Sequence, residues 1–292
     1  MKFTEIFRLK KMLEEANIPF RFSENFNGGF HIVYSFEGEE VCSVIEHEFS
    51  YGREKDLLEI QGLMTEQEMD EEAKVYGVAH TDTALVNFTV QSSVDLLLKN
   101  GFRLGDINAL DPFTGDGVFI DSLLKHGVKK VSAYEIRGWQ CQQTRERYGD
   151  KADIRCADAF KMKPRNFNLI IGNPPYGKVA KNAEIDTRIQ ETYGGGAVNQ
   201  TALYDAYVRS IRWASDNLKN GMIAYIVNSG FLDGIAFSNF RKSVEKEFSK
   251  VYVLNLRGNH RTSGEACRKE GGNVFGQECR TGIAILFLLR SD

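Results

Sequence analysis

The stretch that most constrains this chain runs Asn168-Leu-Ile-Ile-Gly-Asn-Pro-Pro-Tyr-Gly-Lys178. Phe167 and Leu169 to Ile171 read as a buried strand that stops at Gly172. Asn173-Pro174-Pro175-Tyr176 then forms a rigid turn at the strand's carboxyl end. Two successive prolines fix φ and carry no N–H, so the carbonyls of Asn173 and Pro174 turn toward something other than a ladder. Tyr176 sets a flat ring beside them. Such a turn is shaped to hold a planar heterocycle that carries an amino group.

The chemistry explains why these residue types belong together. An exocyclic amine on adenine or cytosine is a poor nucleophile, because its lone pair is delocalised into the ring. If the Asn173 side-chain oxygen and the Pro174 carbonyl each accept one amine hydrogen, the nitrogen moves toward tetrahedral geometry. Its lone pair then becomes available to attack an electrophilic methyl group. A duplex hides that nitrogen, so the base must leave the helix, and Tyr176 is placed to stack on it. Positioning and electrostatics suffice, without a strong general base.

Length and charge set the frame around this turn. A chain of 292 residues with 42% hydrophobic content has material for one large domain, or one domain and a small module. No apolar run reaches the length of a bilayer span and no signal-like block opens the chain, which points to the cytoplasm and away from membranes. Five cysteines without paired metal-ligand spacing read as reduced thiols, with no metal site. The net charge of −3 is unevenly shared: residues 1–75 hold 8 Lys and Arg against 17 Asp and Glu, and residues 76–292 hold 29 against 23. The half that carries the turn is the basic half, which permits a nucleic-acid partner without demanding one.

Residues 1–65 read as a small acidic α+β module, with 66–78 as a linker and 79–292 as the main domain. A helix from Phe3 to Ala16 would bury Ile6, Leu9, Met12, Leu13 and Ala16, ending at Pro19. Strands at Phe20–Phe26 and Phe30–Phe36 would join through Asn27-Gly28-Gly29, with a third at Val41–Phe49. His31 and His47 read as ordinary residues. Further on, Ser92 would cap a short packing helix that buries Val94, Leu97 and Leu98.

The main domain then repeats a strand–turn–helix pattern. Ile107–Leu110 ends in Asp111-Pro-Phe-Thr-Gly-Asp-Gly117 and leads into a helix over Val118–Lys125. This is the opening of a doubly wound sheet, with Gly115 and Gly117 letting a ligand approach the backbone. Asp111 at the strand tip suits the amino group of a methionine moiety. Val128–Tyr134 ends in Glu135, which suits two ribose hydroxyls. Asp153–Cys156 is followed by Asp158-Ala-Phe160, an acceptor for an adenine amino group beside a flanking ring. Asp111, Glu135, Asp158 and Asn173 thus fall at four consecutive strand ends on one edge. Ligands bind at that edge in open α/β folds.

A helix over Ala202–Leu218, a strand at Met222–Val227, a helix at Phe237–Phe248 and strands at Val251–Leu256 and Ile283–Leu289 complete the layout. The last two strands would pair antiparallel. Between them lies a glycine-rich loop carrying Arg257, Arg261, Arg268 and Lys269, which with Lys178 are candidates for phosphate contact. A second glycine-rich loop spans Tyr193–Asn199.

Several motifs now stand together: His80-Thr-Asp-Thr-Ala-Leu-Val, Leu110-Asp-Pro-Phe-Thr-Gly, Ile170-Ile-Gly-Asn-Pro-Pro-Tyr, Ala202-Leu-Tyr-Asp-Ala-Tyr, Gly230-Phe-Leu-Asp-Gly and Gly271-Gly-Asn-Val-Phe-Gly. From about Ala79 onward the chain resembles the methyltransferase region of single-polypeptide, type I-like (type ISP) restriction–modification enzymes. The resemblance implies a Rossmann-like class I methyltransferase fold, with a doubly wound seven-stranded mixed sheet. It implies methylation of adenine N6 in DNA with S-adenosylmethionine as cofactor. By the family's pattern Asn173, Pro174, Pro175 and Tyr176 would be catalytic. Asp111, Pro112, Phe113, Gly115, Gly117, Glu135, Ile136, Asp158, Ala159 and Phe160 would hold the cofactor, with Thr89 or its neighbours at the methionine end. Asp116 stands where the family commonly has a small hydroxyl residue. Those relatives also carry a nuclease and helicase before this region and a target-recognition domain after it, for which 292 residues leave no room. Alternatives are therefore a non-catalytic or partner-dependent subunit, with a recognition subunit as partner, or methylation of RNA or a protein glutamine.

Overall fold

The structure, a computed structural model, describes residues 4–26, 29–36, 39–46, 59–62, 81–177, 181–195, 200–260, 273 and 281–291. The chain divides into two compact units, residues 1–72 and 73–292.

In the first unit, helix α1 (Glu5–Glu15) accompanies a four-stranded antiparallel sheet, β1 (Phe20–Phe26), β2 (Gly29–Phe36), β3 (Glu39–Glu46) and β4 (Glu59–Gly62), in that spatial order. The core here is small: Ile6 and Leu13 of the helix against Ile32 and Val44 of the sheet. Met12, expected on that face, is 56% exposed. A buried stripe only two residues deep faces the sheet, and position 12 lies beyond it. The Ile6 N–H, one of the donors left over at a helix start, is met by the Glu46 carboxylate at 2.9 Å. The fourth strand has no counterpart in the sequence reading, because Glu-Ile-Gln-Gly offers one apolar residue and no alternation.

The second unit is built on a seven-stranded sheet: β5 (Asn108–Asp111), β6 (Lys130–Glu135), β7 (Asp153–Cys156), β8 (Leu169–Gly172), β9 (Gly221–Asn228), β10 (Lys250–Arg257) and β11 (Ile283–Arg290). The spatial order is β10-β11-β9-β8-β5-β6-β7. Adjacent strands from β9 through β7 pair parallel, whereas β11 runs antiparallel to both β9 and β10. This is the expected doubly wound mixed sheet of a class I methyltransferase.

Alternation along the strands fills two cores. Leu110, Ile170, Ile223, Tyr225 and Leu286 face one side, toward α5 (Ala183–Thr192), α6 (Ala206–Asn217) and α7 (Ser238–Glu247). Ala109, Leu169, Ile171, Ala224 and Ile285 face the other, toward α2 (Thr83–Lys99), α3 (Val118–Lys125) and α4 (Gly138–Tyr148). Burial on both faces is why these strands read as continuous apolar runs.

Helix α2 begins well before the expected Ser92, which lies inside it. Asp82 is the cap, its carboxylate accepting from the N–H groups of Ala84 and Leu85. Thr89 and Ser93 sit buried in mid-helix because each hydroxyl donates to the carbonyl four residues back. Leu98 is on the outer face. Helix α4 had no signal in the sequence: it buries Gln140, Cys141, Thr144 and Tyr148, a face too polar to show a hydrophobic period.

The thiols are not all reduced. Cys141 in α4 and Cys156 at the end of β7 form a disulfide, with Cα atoms 5.5 Å apart. The crossover from β6 through α4 to β7 folds back on itself, so a separation of 15 residues becomes bridging distance. None of the described helices is long and apolar enough to cross a membrane.

Two outcomes follow. Ile170→Ala, at a fully buried position on a central strand, should lower stability by about 2–5 kcal/mol in urea denaturation. Alkylation of the denatured, unreduced protein followed by peptide mapping should leave Cys141 and Cys156 unlabelled.

Candidate active site

Four strand tips carry polar residues, and each is fixed by its neighbours. At the end of β5, the Asp111 carboxylate accepts from the Phe113 N–H at 3.1 Å through Oδ1, while Oδ2 is buried with no partner among the described residues. A Cβ at Gly172, the last residue of β8, would stand 2.7 Å from Asp111 Oδ1. Glycine there lets β8 run beside β5 and lets the Asn173 turn open at the same height. Burial pushes the Asp111 carboxyl up from 3.8 to about 7, opposed by the Phe113 N–H and the nearby Thr114 side chain and aided by the charges of Glu135 and Asp116. The Tyr225 hydroxyl is also buried, with no hydrogen-bond partner among the described residues, and is driven up by burial and by the Asp111 charge.

The turn after Asp111 closes onto β6. The Thr114 N–H donates to the Tyr134 carbonyl, and the Gly115 N–H donates to Glu135 Oε2 at 2.8 Å. Gly115 has a left-handed φ of +54°, and the space where its Cβ would stand is open for at least 4 Å. Gly117 differs. Its φ is +85° and an added Cβ would meet the Tyr148 ring at 2.6 Å, so this glycine serves the packing of α3.

Glu135 ends β6 and is almost wholly buried. Its second oxygen accepts from both the backbone N–H and the Nε of Arg137, each at 2.9 Å. The Arg137 guanidinium lies against the Trp139 ring, 5.2 Å from its centroid. Arg137 thus sets the carboxylate's direction, a role the sequence reading missed because nothing local separates it from a surface arginine. Ile136 between them is 44% exposed. After β7, Asp158 accepts from the Phe160 N–H at 3.0 Å, turning the chain so that Phe160 meets Phe113, with ring centroids 5.7 Å apart. Ala159 is buried. Phe113 also lies near Trp213 and Tyr225. Pro112, just past the Asp111 tip, is buried.

At the β8 tip, the Asn173 Nδ2 donates to Thr81 Oγ1 at 2.9 Å, and the Tyr176 hydroxyl donates to Asn173 Oδ1 at 2.8 Å. The same hydroxyl lies 3.1 Å from the Ile226 carbonyl of β9. Tyr176 is half-buried against the apolar layer that contains Ile171 and Ile226. Pro174 is buried and Pro175 half-buried. The turn's far end is clamped by α6: the Gly177 N–H donates to Asp205 Oδ1 at 3.1 Å, and the Ala206 N–H donates to the Gly177 carbonyl at 2.9 Å. Asp205 also caps α6, and burial raises its carboxyl against three lowering backbone bonds.

The structure therefore gathers Asp111, Phe113, Gly115, Glu135, Ile136, Asp158, Phe160 and Asn173 to Tyr176 along one edge. Thr89 is not among them, since it is fully buried inside α2 with its hydroxyl on the Leu85 carbonyl. Thr81, eight residues earlier, reaches Asn173 instead. Arg257 ends β10 at a register shift, with a left-handed φ of 62° and its N–H on Asn255 Oδ1. Lys178, Arg261, Arg268 and Lys269 lie outside the described residues, as do residues 196–199 of the second glycine-rich loop.

A buried carboxylate with one oxygen unmet among the described residues, an open glycine turn, a second acid at the next tip and a third beside an aromatic pair fit a cofactor with an amino group, vicinal hydroxyls and an adenine.

The Asp111 shift has a direction that can be measured. A carboxyl whose pKa is raised on folding adds stability below about 4, and this is lost as pH rises to about 7. The loss is about 4 kcal/mol, at about 1.4 kcal/mol for each pH unit between the two values. Asp111→Asn should remove that decline, seen as urea midpoints that draw apart as pH rises from 4 to 7, the parent's falling while the variant's holds.

Comparison with known proteins gives the same direction. Residues 74–259, more than half of the chain, match the family model described as Eco57I restriction-modification methylase. The type II methyltransferase M.HincII of Haemophilus influenzae is 28% identical over 121 residues, which is 41% of this chain and 21% of that one. Among solved structures, a DrdV–DNA complex matches with a TM-score of 0.68 at 30% identity, covering 77% of this chain and 28% of that chain. A nuclease-deletion mutant of the type ISP restriction-modification enzyme LlaGI, in complex with a DNA substrate mimic, matches at 0.67 and 28% identity. That match covers 79% of this chain and 29% of LlaGI. The chain thus spans less than a third of each of these proteins.

Proposed function

The chain belongs to the Eco57I restriction-modification methylase family, and from that premise we propose that it transfers a methyl group to the N6 amino group of adenine in DNA. The observation that carries the reading is the Asn173 amide, fixed at a strand tip between Thr81 and Tyr176 and flanked by the three acids. S-adenosylmethionine, when bound, supplies a methyl group made electrophilic by its sulfonium.

The chain's own residues do the rest. Asp111 Oδ2 receives the cofactor's amino group and loses its proton to do so. Glu135, held by Gly115 and Arg137, turns its remaining lone-pair positions to the ribose hydroxyls. Asp158 accepts from the cofactor's adenine amine, with Ile136 and Phe160 on either side of that ring. Entry of a target base exchanges the Tyr176 hydroxyl on Asn173 Oδ1 for an amine hydrogen, and the Pro174 carbonyl takes the other. Tyr176, released from the Ile226 carbonyl, stacks on the extruded base. The amine gains its nucleophilic lone pair from two neutral acceptors, and the proton it later sheds leaves through solvent.

The test is transfer of labelled methyl groups to unmethylated duplex DNA, followed by digestion and identification of the modified nucleoside. N6-methyladenine should appear, and Asn173→Ala should lower the rate by about 10²–10³-fold while cofactor affinity stays within about two-fold. Label on RNA or on protein glutamine alone would overturn the DNA reading. Loss of cofactor binding in Asn173→Ala would overturn the role given to that side chain.

A further inference from the structure

Past the end of β9 the chain makes a compact loop, residues 229–237, on the same edge of the sheet as the Asn173 turn. Gly172 pairs with Tyr225, so the chain leaves β8 for the Asn173 turn beside β9, which runs on in the same direction for three more residues to Asn228. Within this loop Ile235 is 85% exposed, the highest value for a large apolar residue among the described residues.

The loop is built to hold that side chain outward. Asn228 accepts from the Gly230 N–H, and the Gly234 N–H donates to the Gly230 carbonyl. The Arg241 guanidinium of α7 reaches under the loop and donates to the carbonyls of Phe231 and Gly234, at 2.8 and 3.0 Å. Phe231 and Phe237 are buried on either side. Gly234 is fitted so closely that a Cβ would stand 2.6 Å from the Gly230 carbonyl and 2.9 Å from the Phe237 ring. Two aromatic anchors, an arginine strut and a required glycine thus fix the backbone, and the residue they present to solvent is a bare isoleucine. A β-branched side chain has few rotamers to lose when it meets a partner.

Resting on the reading of the chain as a DNA adenine methyltransferase, we propose that Ile235 is an apolar contact to DNA at the lip of the site, packing against the bases left behind when the target adenine leaves the stack. The local charge supports bases over backbone. Asp233, two residues earlier and also exposed, would repel a phosphate. Apolar side chains set against opened base steps are a general way to hold a distorted duplex.

The test follows the assay above. Methyl transfer is measured on a short duplex built around a site methylated there, and on the same duplex with an abasic position opposite the target adenine. Ile235→Ala should lower kcat/KM by about ten-fold on the paired duplex and by less than about two-fold on the abasic one, where extrusion is already eased. Ile235→Leu should restore most of the loss. Cofactor affinity and melting temperature should not move, because the side chain contributes little to the core. Equal rates for parent and Ile235→Ala on the paired duplex would overturn the proposal, as would an equal loss on both duplexes. A parent protein that methylates RNA and no DNA would instead remove the functional reading, and this inference with it.

Discussion

The sheet is buried on both faces, and this constraint decides where chemistry can stand. Side chains along β5, β8 and β9 are packed into one apolar layer or the other. A polar group within them would lose its water without gaining a partner. Only the strand ends, where the ladder stops and the chain turns, can hold an acid or an amide against a ligand. Asp111 is the boundary case. It sits one residue too deep for solvent, and its raised pKa measures the cost of that depth.

The layer behind the Asn173 turn carries its polar groups differently. Arg209 is buried and paired with Asp186, while Arg212, also buried, bonds Glu247, Asp216 and the Tyr193 hydroxyl. Buried ion pairs of this kind add little net stability, since desolvation offsets their attraction. Their geometry is demanding, however, and it ties α5, α6 and α7 into one block. Because Asp205 opens α6 and grips Gly177, the register of that block is passed to the turn.

How much of this was legible in the sequence depends on the kind of signal. The seven strands of the larger sheet could be read directly, as could the polar residue at or just past four of their ends, because strands followed by Asp, Glu or Asn in this order have a common explanation in a ligand-binding edge. The start of α2 was misplaced because Asp82 and Ser92 are both good caps, and only the tertiary burial of Thr89 and Ser93 decides between them. Helix α4 was silent because its buried face is polar. The disulfide was hidden because two cysteines 15 apart say nothing until a crossover folds. Thr81, Arg137 and Asp205 were missed for one reason: each acts by orienting another residue, and orientation leaves no pattern along a chain.

The crosslink between Cys141 and Cys156 makes the two halves of the site mechanically unlike. It fastens the helix that follows Glu135 to the strand that precedes Asp158, so those two acids behave as one jaw with a covalent hinge pin. Asn173 and Tyr176 hang instead from exchangeable hydrogen bonds to α6, to β9 and to Thr81. One jaw is set once, when the chain is oxidised. The other is held only by bonds that can open and re-form.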